Sequence, residues 1–264
     1  MINRELVLKK AVKIEDRLFL SKMVDRAQKA VNSDTVMFSD FIDPYQKSIF
    51  EKAFSDEDSF IYSFDGGYEG AEREVVVFCP SYMSTGERED SRAPLKALKI
   101  SLKGRENLTH RDCLGAVTAL GIKREKIGDI IVREESCNII VLNEVAEFIR
   151  ANLEKVGSAN VTAEIAEISD IGAPLPRTRE INATVASLRL DSISSAGFGI
   201  SRSRISDFIK AEKVSLNWQA TDSPSKQIKE GDTISIKGKG RVVIERVGGT
   251  TKKGRISVVL KKYV

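Results

Sequence analysis

The sequence predicts an α+β fold in three small domains, and three observations carry that reading. Residues 81–172 show hydrophobic periods of two and of 3.6 in the order βαββαβ. Residues 189–232 read as a helix, a glycine turn, a second helix and a strand. Charge is also divided along the chain. From Pro174 onward 18 Lys and Arg stand against 8 Asp and Glu, a net of +10, while residues 1–173 hold 24 basic and 30 acidic residues, a net of −6. The 264 residues suffice for two or three domains. The division expected is an N-terminal α/β (α+β) domain over 1–80, a βαββαβ domain over 81–172, a linker over 173–180, and a basic domain over 181–264.

In residues 1–80, Ile14, Leu18, Met23 (or Phe19) and Ala27 predict an amphipathic helix from about 14 to 31. Asp43-Pro44 starts a second one, with an acid as cap and proline in the first turn. Its apolar face uses Ile49, Phe50 and Phe54. Phe60–Phe64 and Val75–Phe78 read as strands around a glycine-rich connection. Gly66-Gly67 offers backbone N–H groups to a phosphate, but no lysine-threonine pair and no helix follows, so a plain turn is favoured.

Residues 81–172 begin with Leu95–Leu102, an alternating strand. Asn107 or Thr109 caps a helix through Leu120 that stops at Gly121. Ile127–Arg133 and Cys137–Leu142 are strands, Glu144–Leu153 is a helix, and Val161–Ile168 is the last strand. That is the ferredoxin-like order, which RNA-recognition motifs share. Their stacking aromatics are missing, because the third strand reads CNIIVL, so this sheet is not expected to hold bases by stacking. His110 lies near a helix start with no nucleophile pattern around it, which favours capping or solvation over catalysis.

The stretch Ala173–Glu180 is rich in proline and charge and reads as a linker, and Val185–Leu188 as a strand. Gly197 and Gly199 then break a first helix. Ser201 is placed to cap the next one through its side-chain oxygen. Ile205, Phe208 and Ile209 form its apolar stripe, with Arg202, Ser206, Lys210 and Lys213 in one polar arc. Val214–Asn217 alternates as a short strand, and Gly231-Asp232 turns into Thr233–Ile236. In the tail, two strands flank Val247-Gly248-Gly249-Thr250. Lys237, Lys239, Arg241, Lys252, Lys253 and Arg255 cluster around glycines, where a phosphate backbone approaches closely; the alternative is a solvated hairpin.

Arg189-Leu190-Asp191, Ser201-Arg202-Ser203, Lys213 to Asn217, Pro224 and Gly231-Asp232 together resemble the S-four RNA-binding domain. That domain was first named in a small-subunit ribosomal protein and is shared with many pseudouridine synthases and tyrosyl-tRNA synthetases. In it two helices and a strand form a basic face on structured RNA. The resemblance puts Arg189, Arg202, Arg204, Lys210, Lys213 and Asn217 on that face, beside Ser201 and Ser203, with Asp191 orienting the neighbouring arginines. Trp218 stands where the family more often has glycine. It either stacks on a base or packs.

Over nearly the whole chain the sequence is similar to the bacterial YlmH family. The marks are Gly66-Gly67-Tyr68-Glu69-Gly70-Ala71-Glu72-Arg73, the ferredoxin-like middle, Leu188-Arg189-Leu190-Asp191, Gly240-Arg241 and Thr251-Lys252-Lys253-Gly254-Arg255. The resemblance implies a non-enzymatic RNA-binding protein of bacterial ribosome-associated quality control, bound to large-subunit ribosomal RNA and to peptidyl-tRNA. A cell-division role has also been attached to the family. Two other readings remain: a division scaffold, and an accessory module of an RNA-modification enzyme. Neither the catalytic aspartate domain of a pseudouridine synthase nor the cofactor loop of a methyltransferase is recognisable.

No run of about 18 apolar residues is present, so no membrane span is expected. The three cysteines, Cys79, Cys113 and Cys137, are far apart and lack metal-ligand spacing, so buried reduced thiols are expected, with no metal and no cofactor. A cytoplasmic, ribosome-associated protein follows as an expectation, monomeric when free, with a protein partner for residues 1–172.

Overall fold

The structure, a computed structural model, describes residues 2–82, 92–102, 108–133, 136–171 and 178–263. The chain forms two compact units, Met1–Pro174 and Leu175–Val264. The first opens with α1 (Arg4–Lys9), α2 (Ile14–Ser33), β1 (Met37–Ile42), α3 (Pro44–Ala53), β2 (Phe60–Asp65) and β3 (Glu74–Pro80). The strands form an antiparallel sheet in the order β1-β3-β2. Helix α3 starts where the sequence places it. Asp43 accepts from the Gln46 amide, the Gln46 side chain returns to the Asp43 amide, and Pro44 fills the first position.

Helix α2 corrects one expectation. Its buried stripe is Phe19, Leu20, Met23, Val24, Ala27 and Ala30, whereas Ile14 and Leu18 are 74% and 62% exposed. The stripe begins one turn later than the hydrophobic spacing suggests, because only the later turns meet the core formed with Phe50, Phe54, Phe60 and Phe78.

The unit continues with β4 (Leu95–Leu102), α4 (His110–Ala119), β5 (Ile127–Val132), β6 (Ser136–Leu142), α5 (Asn143–Asn152), the two-residue β7 (Lys155–Val156) and β8 (Ala159–Ala166). The sheet order is β5-β6-β4-β8-β7. Without β7 this is the ferredoxin-like arrangement that βαββαβ demands. Thr109 caps α4 by accepting from the Asp112 amide; the alternative cap, Asn107, lies outside the described residues. Leu98, Ile100, Ile139 and Val141 face the helices and pack with Cys113, Val117 and Ile149.

The opposite face of this sheet is also covered. Ala97, Ile140, Leu142 and Ala166 pack with Phe41, Val75, Val77 and Cys79 of the first sheet. Residues 1–80 and 81–172 therefore share a core within one compact unit.

The second unit comprises β9 (Thr178–Val185), α6 (Leu190–Phe198), α7 (Arg202–Lys210), β10 (Val214–Leu216), β11 (Gln219–Ala220), β12 (Thr233–Ile236), β13 (Gly240–Thr250) and β14 (Ile256–Tyr263). All neighbours are antiparallel in the order β11-β10-β12-β13-β14-β9. Leu190 and Ile193 of α6 and Ile205 and Ile209 of α7 pack with Val185, Ile234, Ile236, Val242, Ile244, Val258 and Leu260 of the sheet.

Three expectations change here. Thr178-Arg179-Glu180, expected in the linker, begin β9, which ends at Val185, where the sequence suggested that a strand starts; pairing along β14 orders this segment despite its charge. The remainder of the linker, 173–177, lies outside the described residues. Gly197 is not a turn residue. It lies inside α6, and an added Cβ would meet Val242 at 3.0 Å and Leu260 at 3.3 Å, so it lets helix and sheet approach. Gly199, at φ +67°, makes the turn alone. In the tail, β13 runs through Val247–Thr250 and turns only at Thr251–Arg255, closed by the Thr251 amide on the Arg255 carbonyl at 2.7 Å.

Candidate nucleic-acid interface

The start of α6 holds the most organised polar group of the second unit. Asp191 is buried, its side chain 7% exposed. Arg189, the residue before α6, donates from Nε to Asp191 Oδ1 at 3.2 Å and from Nη2 to Oδ2 at 3.5 Å. Arg202, the first residue of α7, donates from Nη2 to Asp191 Oδ2. Burial alone would raise the Asp191 pKa. Hydrogen bonds and charge from Arg202 and Arg189 outweigh it and hold the carboxyl below its ordinary value. One ionised carboxylate thus fixes two guanidinium groups whose side chains remain 40% and 50% exposed. Asp191 orients the arginines, as the sequence suggested.

Ser201 occupies the N-cap position of α7, but its side chain makes no capping bond. Its hydroxyl instead lies 3.2 Å from that of Ser203. The expected cap is therefore absent, and the helix opens with no side chain on its first amides. Such an end attracts anions. Arg204 lies over the Phe208 ring at 5.9 Å. Helix α7 ends at Lys210, and Glu212 takes φ +52°. Lys213 therefore stands on the connecting turn rather than in the helical arc expected of it.

The other expected contacts separate by role. Asn217 is held at both ends of its amide: Nδ2 donates to Asp232 Oδ1 and Oδ1 accepts from the Thr233 amide, each at 2.9 Å. It fixes a turn rather than offering a free amide to RNA. Asp232, which also accepts from the Lys229 amide at 2.9 Å, is the organiser the sequence reading missed; its signal was the Gly-Asp pair before an apolar strand. Arg241 lies over the Tyr263 ring at 4.2 Å. Arg255 is tied to Thr184 through its hydroxyl and carbonyl. Lys210, Lys213, Lys239, Lys252 and Lys253 are exposed.

The basic tail does not gather as one cluster. Lys239 lies in the turn before β13, close to Lys213, whose carbonyl accepts from the Lys237 amide at 2.9 Å. Lys252 and Lys253 lie in the turn after β13. Eleven residues of strand separate these turns, about 35 Å at the usual rise.

In the first unit the glycine-rich run 66–73 has a different use. Gly67 donates to Asp65 Oδ1 at 2.8 Å. Asp129 of β5 accepts from Tyr68 Oη at 2.6 Å and from the amides of Glu72 and Arg73 at 2.7 and 3.1 Å. Carboxylates occupy the amides of Gly67, Glu72 and Arg73, and a strand rather than a helix follows the run, in keeping with a turn. Arg73 donates to the carbonyls of Ile127 and Phe41. Arg124 donates to those of Ile127 and Gly128, and burial beside Arg73 lowers its pKa to about 10. His110 opens α4; desolvation first and Arg124 second lower its pKa. The three cysteines are buried and free. Cys113 and Cys137, distant in sequence, meet in the fold, and the hydrogen bond to Cys113 together with burial keeps the Cys137 thiol protonated.

Residues 89–170 match the putative RNA-binding domain in YlmH, and residues 188–234 match the S4 domain. The chain is 30% identical over 249 residues to the ribosome-associated protein quality control protein P2 of Bacillus subtilis (strain 168), covering 94% of this chain and 95% of that one. The chain belongs to the YlmH family. A solved structure titled cell division protein ylmH from Streptococcus pneumoniae is similar at 27% identity, with a TM-score of 0.51 over 62% of this chain and 98% of that chain. In this YlmH-family chain the S4 match spans Arg189, Asp191 and Arg202 together. No described helix is long and apolar enough to cross a membrane, and the described residues hold no grouping of metal ligands.

Proposed function

We propose that this protein is a non-enzymatic factor that binds large-subunit ribosomal RNA, with peptidyl-tRNA beside it, during ribosome-associated quality control. The observation that carries the reading is the pair of half-exposed arginines fixed on buried Asp191 at the open start of α7. Pinned guanidinium forks present donors to phosphate oxygens with little ordering left to lose on binding. Phosphate contacts set orientation, and RNA shape supplies selectivity. Helix α7 adds Arg204 and Lys210, and the turn after it Lys213. The name of the Bacillus relative supports the ribosomal setting.

The middle domain enters as a docking body rather than a base reader. Ala97, Ile140 and Leu142 of its sheet are already covered by the first sheet. A protein contact for residues 1–172 belongs to the same proposal, supported by Leu6, Val12, Ile14 and Leu18, exposed around the start of α2. The name of the Streptococcus structure favours a second reading, a division scaffold. The test is co-sedimentation of the full chain with purified large subunits over a salt series, beside pull-down with and without RNase. Four to six neutralised phosphates give a log–log slope of roughly −3 to −5. Partners retained after RNase, with no subunit binding, would establish the scaffold reading instead.

A further inference from the structure

Trp218, the only tryptophan of the chain, stands at the tip of the β10–β11 hairpin. Leu216 pairs with Gln219, leaving a two-residue loop of Asn217 and Trp218. Their φ values are +48° and +61°. This is the turn in which both central residues are left-handed and asparagine-glycine is preferred. Asparagine occupies the first place comfortably. A large aromatic side chain in the second is an outlier, held there by its surroundings at a conformational cost.

The surroundings are specific. Asn217 is bonded to Asp232 and to Thr233. Asp232 holds the Lys229 amide. The segment before Lys229 runs beside the arginine site, with Arg189 bridged to Gln227 and the Ile228 amide on the Leu188 carbonyl. A bonded chain thus connects the turn to Arg189. The indole itself is half-buried and belongs to none of the four apolar cores among the described residues. Core packing therefore does not account for an indole where glycine would be unstrained.

We propose that Trp218 is a stacking platform for one unpaired base of the RNA held by the Arg189–Arg202 face. The inference rests on the RNA reading of that face and adds what the RNA must carry, an extruded or bulged nucleotide within a structured region. Stacking on an aromatic ring is the usual way that proteins hold such bases.

The experiment titrates the full chain with a short RNA hairpin carrying one bulged adenosine, with the same hairpin lacking the bulge, and with purified large subunits. Trp218 fluorescence is read for the wild type, and filter binding for the wild type, Trp218→Phe and Trp218→Gly, beside thermal melts. The bulged hairpin should quench the lone tryptophan and bind more tightly than the paired one. Trp218→Gly should lose about 5- to 150-fold for the bulged hairpin, the span of one base stack, with no change for the paired one. Trp218→Phe should keep most of the preference. Trp218→Gly should also melt higher, since asparagine-glycine suits the turn. A glycine variant that melts lower, or one that keeps the bulge preference, overturns the proposal. So does a loss seen with whole subunits but with neither hairpin, which would assign the ring to a protein contact. A wild type that binds both hairpins equally removes only the stacking role, whereas one that binds neither hairpins nor subunits removes the RNA reading as well.

Discussion

The two units use arginine in opposite ways. Arg73 and Arg124 of the first unit direct their guanidinium groups at backbone carbonyls of Ile127, Phe41 and Gly128. Arg189 and Arg202 of the second share a single buried carboxylate and leave about half of each side chain in solvent. The first arrangement satisfies carbonyls and leaves little for a ligand. The second orients donors outward, because one carboxylate cannot satisfy two five-donor forks. Exposure and partner type separate the two pairs of arginines where position in sequence does not.

The sharpest way to break this contrast is Asp191→Ala. The variant removes the shared anchor and leaves two cations near one another without it. We expect a loss of about 1–3 kcal/mol of stability, discounted for the exposure of both arginines, together with loss of large-subunit co-sedimentation. The pH dependence has a definite sign. The folded-state pKa of Asp191 is depressed, so its contribution is present above the unfolded value, about 3.9, and is lost as pH falls through the lower folded value. Acid melts of the wild type should show this loss below about pH 4, and those of Asp191→Ala should not. A variant that binds subunits normally would show that the arginines need no anchor.

Arg202→Ala comes next. From sequence alone a cation in the first turn of α7 is mildly disfavoured by the helix dipole, so the residue reads as purely RNA-facing and its removal as harmless to the fold. The bond to Asp191 corrects that. Arg202→Ala should weaken subunit binding by about 1–3 kcal/mol and also lower stability by about 1 kcal/mol, because buried Asp191 loses a partner. A thermal melt beside co-sedimentation checks both parts. A fall in stability without a fall in binding would move Arg202 to the structural side of the comparison.

Tyr68→Phe tests the first unit. It deletes one bond to Asp129, which retains the Glu72 and Arg73 amides. Stability should fall by about 0.5–1.5 kcal/mol, with subunit binding at wild-type level once folded protein is compared. Reduced affinity in a folded variant would give the glycine-rich run a direct role in binding.

Local signals were legible in the sequence wherever chemistry is local. Asp43, Pro44 and Gln46 announce α3, and the βαββαβ order announces the middle sheet. Helix α1 escaped because six residues are too few for a period. Strand β1 escaped because MFSDFI lies between two helices, and its pairing with β3 is a tertiary event. At the candidate site the residue types were legible in the pattern, whereas the pairing of Asp191 with the neighbouring arginines came only from the resemblance to the S-four domain. Asp191 and Arg202 lie eleven residues apart across a glycine turn. No periodicity links them, although an acid opening an apolar helix was a signal. Likewise the covering of Ala97, Ile140 and Leu142 by Phe41 and Val75 depends on how two sheets meet, which hydrophobic pattern alone does not encode.

Ser201 carries the smallest expected effect and the finest test of what the start of α7 is for. A serine that truly caps a helix stabilises it by about 0.5–2 kcal/mol relative to alanine. Ser201 has the position but not the bond, and its hydroxyl is engaged with Ser203 at 3.2 Å. Ser201→Ala should therefore change stability by less than about 0.5 kcal/mol, the range of an ordinary surface substitution. If the open helix start receives a phosphate, the exposed hydroxyl becomes one more donor to it, and losing that donor should weaken subunit binding by about 0.5–1.5 kcal/mol. Equilibrium melts and salt-matched co-sedimentation read the two quantities separately. A variant that loses stability as a capping serine would, with binding unchanged, makes Ser201 a cap in solution and closes the anion-binding reading of this helix end.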